Sequence, residues 1–140
     1  MSKAKVRPLR SPTINRPVGW SSHAWAVSGP GRWIFTSGFT ARDENGPIIH
    51  VGDPGAQTRL TCENLRRILA EDGATLDHVV KIICYVVKRE HFEAVRQARI
   101  EYFPNNPPAS TTVVGDLIDP DALVEIEAVA FVPEADGKRG

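Results

Sequence analysis

No apolar run in these 140 residues approaches the roughly 20 that a membrane helix needs. Neither sign of charge is in excess. Lys+Arg and Asp+Glu both total 17, for a formal charge of zero, so the global electrostatic pull of a nucleic-acid binder is missing. The basic N-terminus, MSKAKVRPLRSP, leads into no apolar stretch and is expected not to be a secretory signal. Cysteine is sparse. Cys62 and Cys84 make no metal motif at their spacing, and both lie in apolar patterns, so buried free thiols in a reducing cytoplasm are expected. His23, His50, His78 and His91 are scattered without ligand spacing, and no metal site is expected. There is no nucleophile elbow, and Gly29-Pro30-Gly31 and Gly52-Asp53-Pro54-Gly55 read as turns rather than phosphate loops. No internal repeat or linker is visible.

What remains is an ordinary globular mixture, 41% apolar and 24% charged, of single-domain length. Residues 1–19 read as an extended, Pro-rich arm without periodicity, and 133–140 as a polar, frayed tail. Strands are expected at Ala24–Val27 and Trp33–Thr36, separated by a turn cluster of hairpin length. Asp53-Pro54 starts a helix as N-cap and first helical residue. Thr61, Cys62, Leu65, Ile68 and Leu69 give that helix one apolar stripe, and Gly73 closes it. Val79–Val87 is almost continuously apolar and β-branched, which fits a central strand covered on both faces. A second helix runs from about Glu90 to Phe103, buries Phe92, Val95, Ala98 and Tyr102, and stops at Pro104. Strands at Ser110–Val114 and Leu123–Val132 complete an α+β order. The result is a two-layer sandwich with two helices on one face of the sheet. The other face is expected to be buried by another subunit.

The strict alternation Val124-Glu125-Ile126-Glu127-Ala128 throws both glutamates onto one sheet face. A solvated strand face explains that pattern, and so does a carboxylate placed to orient or deprotonate a water. Ser110-Thr111-Thr112 offers hydroxyl donors, although strand propensity alone accounts for such a run. Trp20, Trp25 and Trp33 suit either a pocket wall or the core. Arg42 is a ligand anchor only by elimination.

An ordered set of segments resembles the RidA (YjgF, L-PSP) family of imine/enamine deaminases over about residues 17–132. It comprises Ser22-His23-Ala24, Trp33-Ile34-Phe35-Thr36-Ser37-Gly38, Gln57 with Asn64-Leu65, Asp77-His78-Val79-Val80-Lys81 leading to Tyr85-Val86, and Phe92 with Tyr102-Phe103. Pro108-Ala109-Ser110-Thr111-Thr112-Val113 and Val124-Glu125-Ile126-Glu127-Ala128-Val129-Ala130 follow. The resemblance implies a chorismate-mutase-like fold with a mixed sheet, a homotrimer with clefts between subunits, and no cofactor; composition and charge add the expectation of a cytoplasmic location and of no nucleic-acid or membrane partner. Active members hydrolyse imines and enamines to 2-oxo acids and ammonia. In them a strand arginine holds the substrate carboxylate and a final-strand glutamate positions water. Glu125 occupies the glutamate position and is the implied catalytic residue. Trp20, Ser37, Gly38, Tyr85, Ser110 and Thr111 are the implied substrate-binding set.

The arginine position is Ser110. A guanidinium grips a carboxylate with two charge-assisted bonds of about 1.5–3 kcal/mol each. Serine therefore implies an atypical substrate or a turnover loss on the order of a hundredfold on carboxylate imines. Two functions follow: a deaminase acting on an unusual imine, or a non-catalytic small-molecule-binding or regulatory trimer that uses the same cleft. The ribonuclease activity sometimes attached to the family is disfavoured by the zero net charge and the lack of a basic, aromatic-interleaved groove.

Overall fold

A computed structural model describes residues 3–134. Six strands and two helices follow in the order β1 (Lys5–Leu9), β2 (Ala24–Ser28), β3 (Gly31–Phe35), α1 (Pro54–Ala70), β4 (Val79–Val86), α2 (Phe92–Tyr102), β5 (Ala109–Val114) and β6 (Val124–Pro133). The main sheet is mixed, with order β3-β6-β4-β5: β6 is antiparallel to β3 and β4, and β5 is parallel to β4. This is the expected α+β architecture. Of the tail expected at 133–140, Pro133 ends β6, and the residues after 134 lie outside the described ones.

Local chemistry fixes the helices. The Asp53 carboxylate accepts the Ala56 N–H at 3.0 Å, and Pro54 opens α1 without wasting a donor. Gly73 adopts φ +72° beyond its end, a conformation that any Cβ would strain. Cys62, Leu65 and Leu69 of α1 and Val95 and Phe103 at α2 close over Ile82, Cys84, Val86, Val124, Ile126 and Ala128 of the sheet. Both cysteines are buried and free.

Two expectations change. The arm is not featureless: Lys5–Leu9 pairs antiparallel with β2, from Lys5 opposite Ser28 to Leu9 opposite Ala24. Pro8 is tolerated there because a two-stranded ribbon leaves outward positions that need no ladder donor. Second, β2 and β3 do not form a hairpin ladder, since the intervening turn carries the chain from that ribbon into the main sheet. Within one chain β4 is fully covered on one face, and its other face is the one expected to meet another subunit. Ile82, Cys84 and Val86 are buried, whereas Lys81, Ile83 and Tyr85 are half-buried on a face that carries no helix.

Candidate functional site

Strand β6 sends Val124, Ile126, Ala128 and Ala130 into the core and holds Glu125 and Glu127 on the uncovered face, each partly exposed. Beside them the β3 side of the ladder carries one extra residue. Phe35 lies opposite Val129 and Phe39 opposite Ile126, so four steps on one chain span three on the other. The Thr36 N–H donates to the Ala128 carbonyl at 3.0 Å, and the Thr36 hydroxyl accepts the Ala128 N–H at 2.9 Å. Phe39 and Ile126 exchange both backbone bonds, at 2.9 and 3.0 Å. Ser37 and Gly38 form the bulge between these anchors, and both are exposed. Gly38 passes directly over the Glu125 side chain: a Cβ there would stand 2.6 Å from Oε2 and 2.8 Å from Cδ. The carboxylate thus occupies the space that a side chain at position 38 would need.

Tyr85 lies opposite Glu125 in the β4–β6 register, and its hydroxyl donates to Glu127 Oε1 at 3.1 Å. That bond requires the phenol proton and raises the Tyr85 pKa, with a smaller push from desolvation and from the charges of Glu127 and Glu125. One strand further, Lys81 Nζ donates to Thr111 Oγ1 at 3.3 Å. Glu125, Gly38, Ser37, Tyr85 and Thr111 therefore share one open face with Glu127 and Lys81. A partly exposed carboxylate there can hold and deprotonate a water, with a phenol, an ammonium and hydroxyls near it.

Ser110 and Trp20 stand elsewhere. Ser110 lies beside Ile82 in the parallel ladder, on the helix-covered face. Its hydroxyl is buried without a partner and borders a cavity of about 400 Å³, together with Phe92, Arg99 and Thr112. The Trp20 indole N–H donates to the Phe103 carbonyl at 2.6 Å, and its ring packs on the core. A single chain does not bring Ser110 and Glu125 together. Arg42 is engaged already, through Asp119 at 3.1 Å and the Gly46 carbonyl at 2.7 Å.

Several contributors have roles that the sequence does not spell out, although Gln57 and Asn64 belong to the segments that carry the resemblance. Gln57, fully buried, donates to the His50 and Asp121 carbonyls at 3.2 and 2.9 Å and accepts the Leu123 N–H at 2.8 Å. It thereby ties α1 to the segment leading into β6. Asn64 donates to the Arg42 carbonyl at 2.7 Å and fixes the chain just after the bulge. Arg99 is 1% exposed. Its one signal is position, four residues after Val95 and seven after Phe92, on the buried side of α2. Among the described residues no cluster of three or more His, Cys, Asp or Glu side chains could hold a metal ion, and no helix is long and apolar enough to cross a membrane.

The family model described as endoribonuclease L-PSP matches residues 13–132. A 3-aminoacrylate deaminase, RutC, of Acinetobacter baylyi is 38% identical over 71% of this chain and 79% of its own. A RutC family protein of Pyrococcus abyssi is 36% identical over 94% of this chain and 98% of its own. Among solved structures, a member of the conserved Rid protein family from Yersinia pestis superposes with a TM-score of 0.81 at 31% identity, covering 91% of this chain and 98% of that one. A Mycobacterium tuberculosis member of the YjgF family gives 0.63 at 30% identity over 79% and 86%.

Proposed function

Because the chain belongs to the RidA/YjgF (endoribonuclease L-PSP) family, we propose that it is a hydrolytic deaminase of a reactive imine or enamine with an atypical substrate. The observation that carries this reading is the Glu125 carboxylate, partly exposed and held against Gly38. Glu125 positions a water and takes its proton as the water oxygen bonds to the imine carbon. The imine nitrogen takes that proton back from Glu125, giving a carbinolamine; Glu125 then accepts the carbinolamine hydroxyl proton and passes it to nitrogen as the C–N bond breaks, so the carbonyl forms and ammonia leaves. Overall an imine and a water become a carbonyl compound and ammonia, and no electron donor or acceptor is needed. Tyr85, bonded to Glu127, lines the site with Ser37 and Thr111.

We extend the reading to a homotrimer with its clefts between copies. On the helix-free face Trp33 is 48%, Phe35 73% and Val113 43% exposed. Apolar surface of that extent supports coverage by another chain.

The test is ammonia release from freshly generated 2-iminopropanoate and from uncharged imines, comparing wild type with Glu125→Gln. Turnover that collapses in the variant supports the deaminase. Ligand-induced thermal shifts without turnover on any imine would replace it with the non-catalytic binding protein.

A further inference from the structure

We propose that the cavity between the N-terminal segment, α2 and β5 is a binding site for a small carboxylate, with the Arg99 guanidinium as its anchor. The inference deepens the deaminase reading and rests on it for the ligand's role: the cation absent at Ser110 on the strand is supplied from the facing helix.

A buried guanidinium needs a counter-charge or a full set of acceptors, because its desolvation costs several kcal/mol. Arg99 has neither among the described residues. Its Nη2 donates to the Trp20 carbonyl at 3.0 Å and its Nη1 to Thr112 Oγ1 at 3.4 Å, a long contact. Its Nε is buried with no partner. No described ion pair includes it. The buried thiols near it are no substitute, since burial pushes Cys84 up to about 11 and Cys62 to about 12, so both stay neutral near pH 7. The Ser110 hydroxyl on the same cavity is also buried and unpartnered. One cationic donor and one hydroxyl donor thus border one space of about 400 Å³, the pair a carboxylate can satisfy.

The surroundings favour an anion. Among the described residues no Asp or Glu lines the cavity. The adjoining outer cleft carries Arg10, Arg16 and Arg96 and again no acid, which makes a basic entrance in a chain of zero net charge. Its wall is held in place by His23, whose Nδ1 accepts the Ser11 N–H at 3.2 Å and whose Nε2 lies 2.8 Å from the Asn15 carbonyl. An arginine serving only to hold the chain at Trp20 would leave no orphaned Nε and no orphaned serine beside it.

The experiment is calorimetric titration of pyruvate, and of pyruvamide as its neutral counterpart, into the full chain and its Arg99→Met and Ser110→Asp variants. Wild type should bind pyruvate in preference to the amide. Arg99→Met should weaken pyruvate on the order of a hundredfold. Ser110→Asp supplies the counter-charge from within, so it should abolish pyruvate binding while raising the melting temperature, which gives a readout even where Arg99→Met fails to fold. Equal affinity for acid and amide, undiminished pyruvate binding by either variant, or a lowered melting temperature in Ser110→Asp overturns the assignment. Turnover in Glu125→Gln is scored separately. Arg99-dependent pyruvate binding in a chain without deaminase activity would leave this site standing and remove the deaminase.

Discussion

Replacing Gly38 with alanine puts a methyl group where the Glu125 side chain now lies. The new Cβ would meet Oε2 at 2.6 Å, and ordinary contact begins near 3.4 Å, so the oxygen has to move by about 0.8 Å, close to the 1 Å at which misplaced groups lose about a hundredfold in rate. The atoms in the way are the far end of a flexible side chain on a solvent-facing surface. Stability should therefore fall by no more than about 1 kcal/mol, below the middle of the overpacking range. That corresponds to a melting shift of roughly 4 °C or less. The assay is steady-state ammonia release from the imine that wild type hydrolyses fastest, alongside a thermal melt. The two effects should separate, with a large loss in kcat and a small one in melting temperature. Adding Glu125→Gln to Gly38→Ala should cost little more, since both changes act on one group. Turnover in Gly38→Ala near the wild-type level would show that the seat under the bulge does not position the reacting carboxylate.

Gln57→Leu removes three bonds around a buried amide, at about 0.5–1.5 kcal/mol each, so urea unfolding should show a loss of roughly 2–4 kcal/mol. A loss below about 1 kcal/mol would contradict the clamp assigned to it. Phe35→Lys should dissociate the proposed assembly in light scattering, because it places a charge at the most exposed of the open-face aromatics; an unchanged mass would place the interface elsewhere. Both cysteines should resist thiol reagents at pH 8 and react once the chain is denatured. Their folded pKa values, about 12 and 11, lie above the ordinary 9.0. The unfolded state therefore loses protons first, and stability that is level below pH 9 should decline as pH rises towards those values. A flat profile across that window would contradict the burial.

Legibility in the sequence follows the reach of the interaction. Asp53-Pro54 and Gly73 act within a few residues, and α1 begins and ends where they dictate. The run at β4 and the alternation at β6 announce strands because each period is local. Lys5–Leu9 is not legible because a five-residue strand containing Pro8 carries no alternation of its own and exists through its pairing with β2. The site is readable in kind but not in geometry. The alternation marks Glu125 and Glu127 alike and the family resemblance singles out Glu125, whereas its contact with Gly38 depends on one surplus residue in a ladder between segments about 90 positions apart, which no local pattern encodes. Arg99 is marked in the sequence only by its position on α2, because arginine is ordinarily exposed, and its bonds to Trp20 and Thr112 reveal that this one is not.

Side chains on a strand keep a strict parity, and here parity divides the chemistry: Glu125 looks away from the helices, while Ser110 looks towards them and shares a cavity with Arg99 of α2. In the proposed assembly with clefts between copies, each cleft would draw its base from one molecule and its cation from the next, so two differently crippled chains would each retain an intact half. Mixed in one assembly, they would rebuild some working clefts, whereas a single chain carrying both lesions would spoil every cleft it touches. Inheritance of such defects would then depend on which lesions share a molecule, and not only on how many there are.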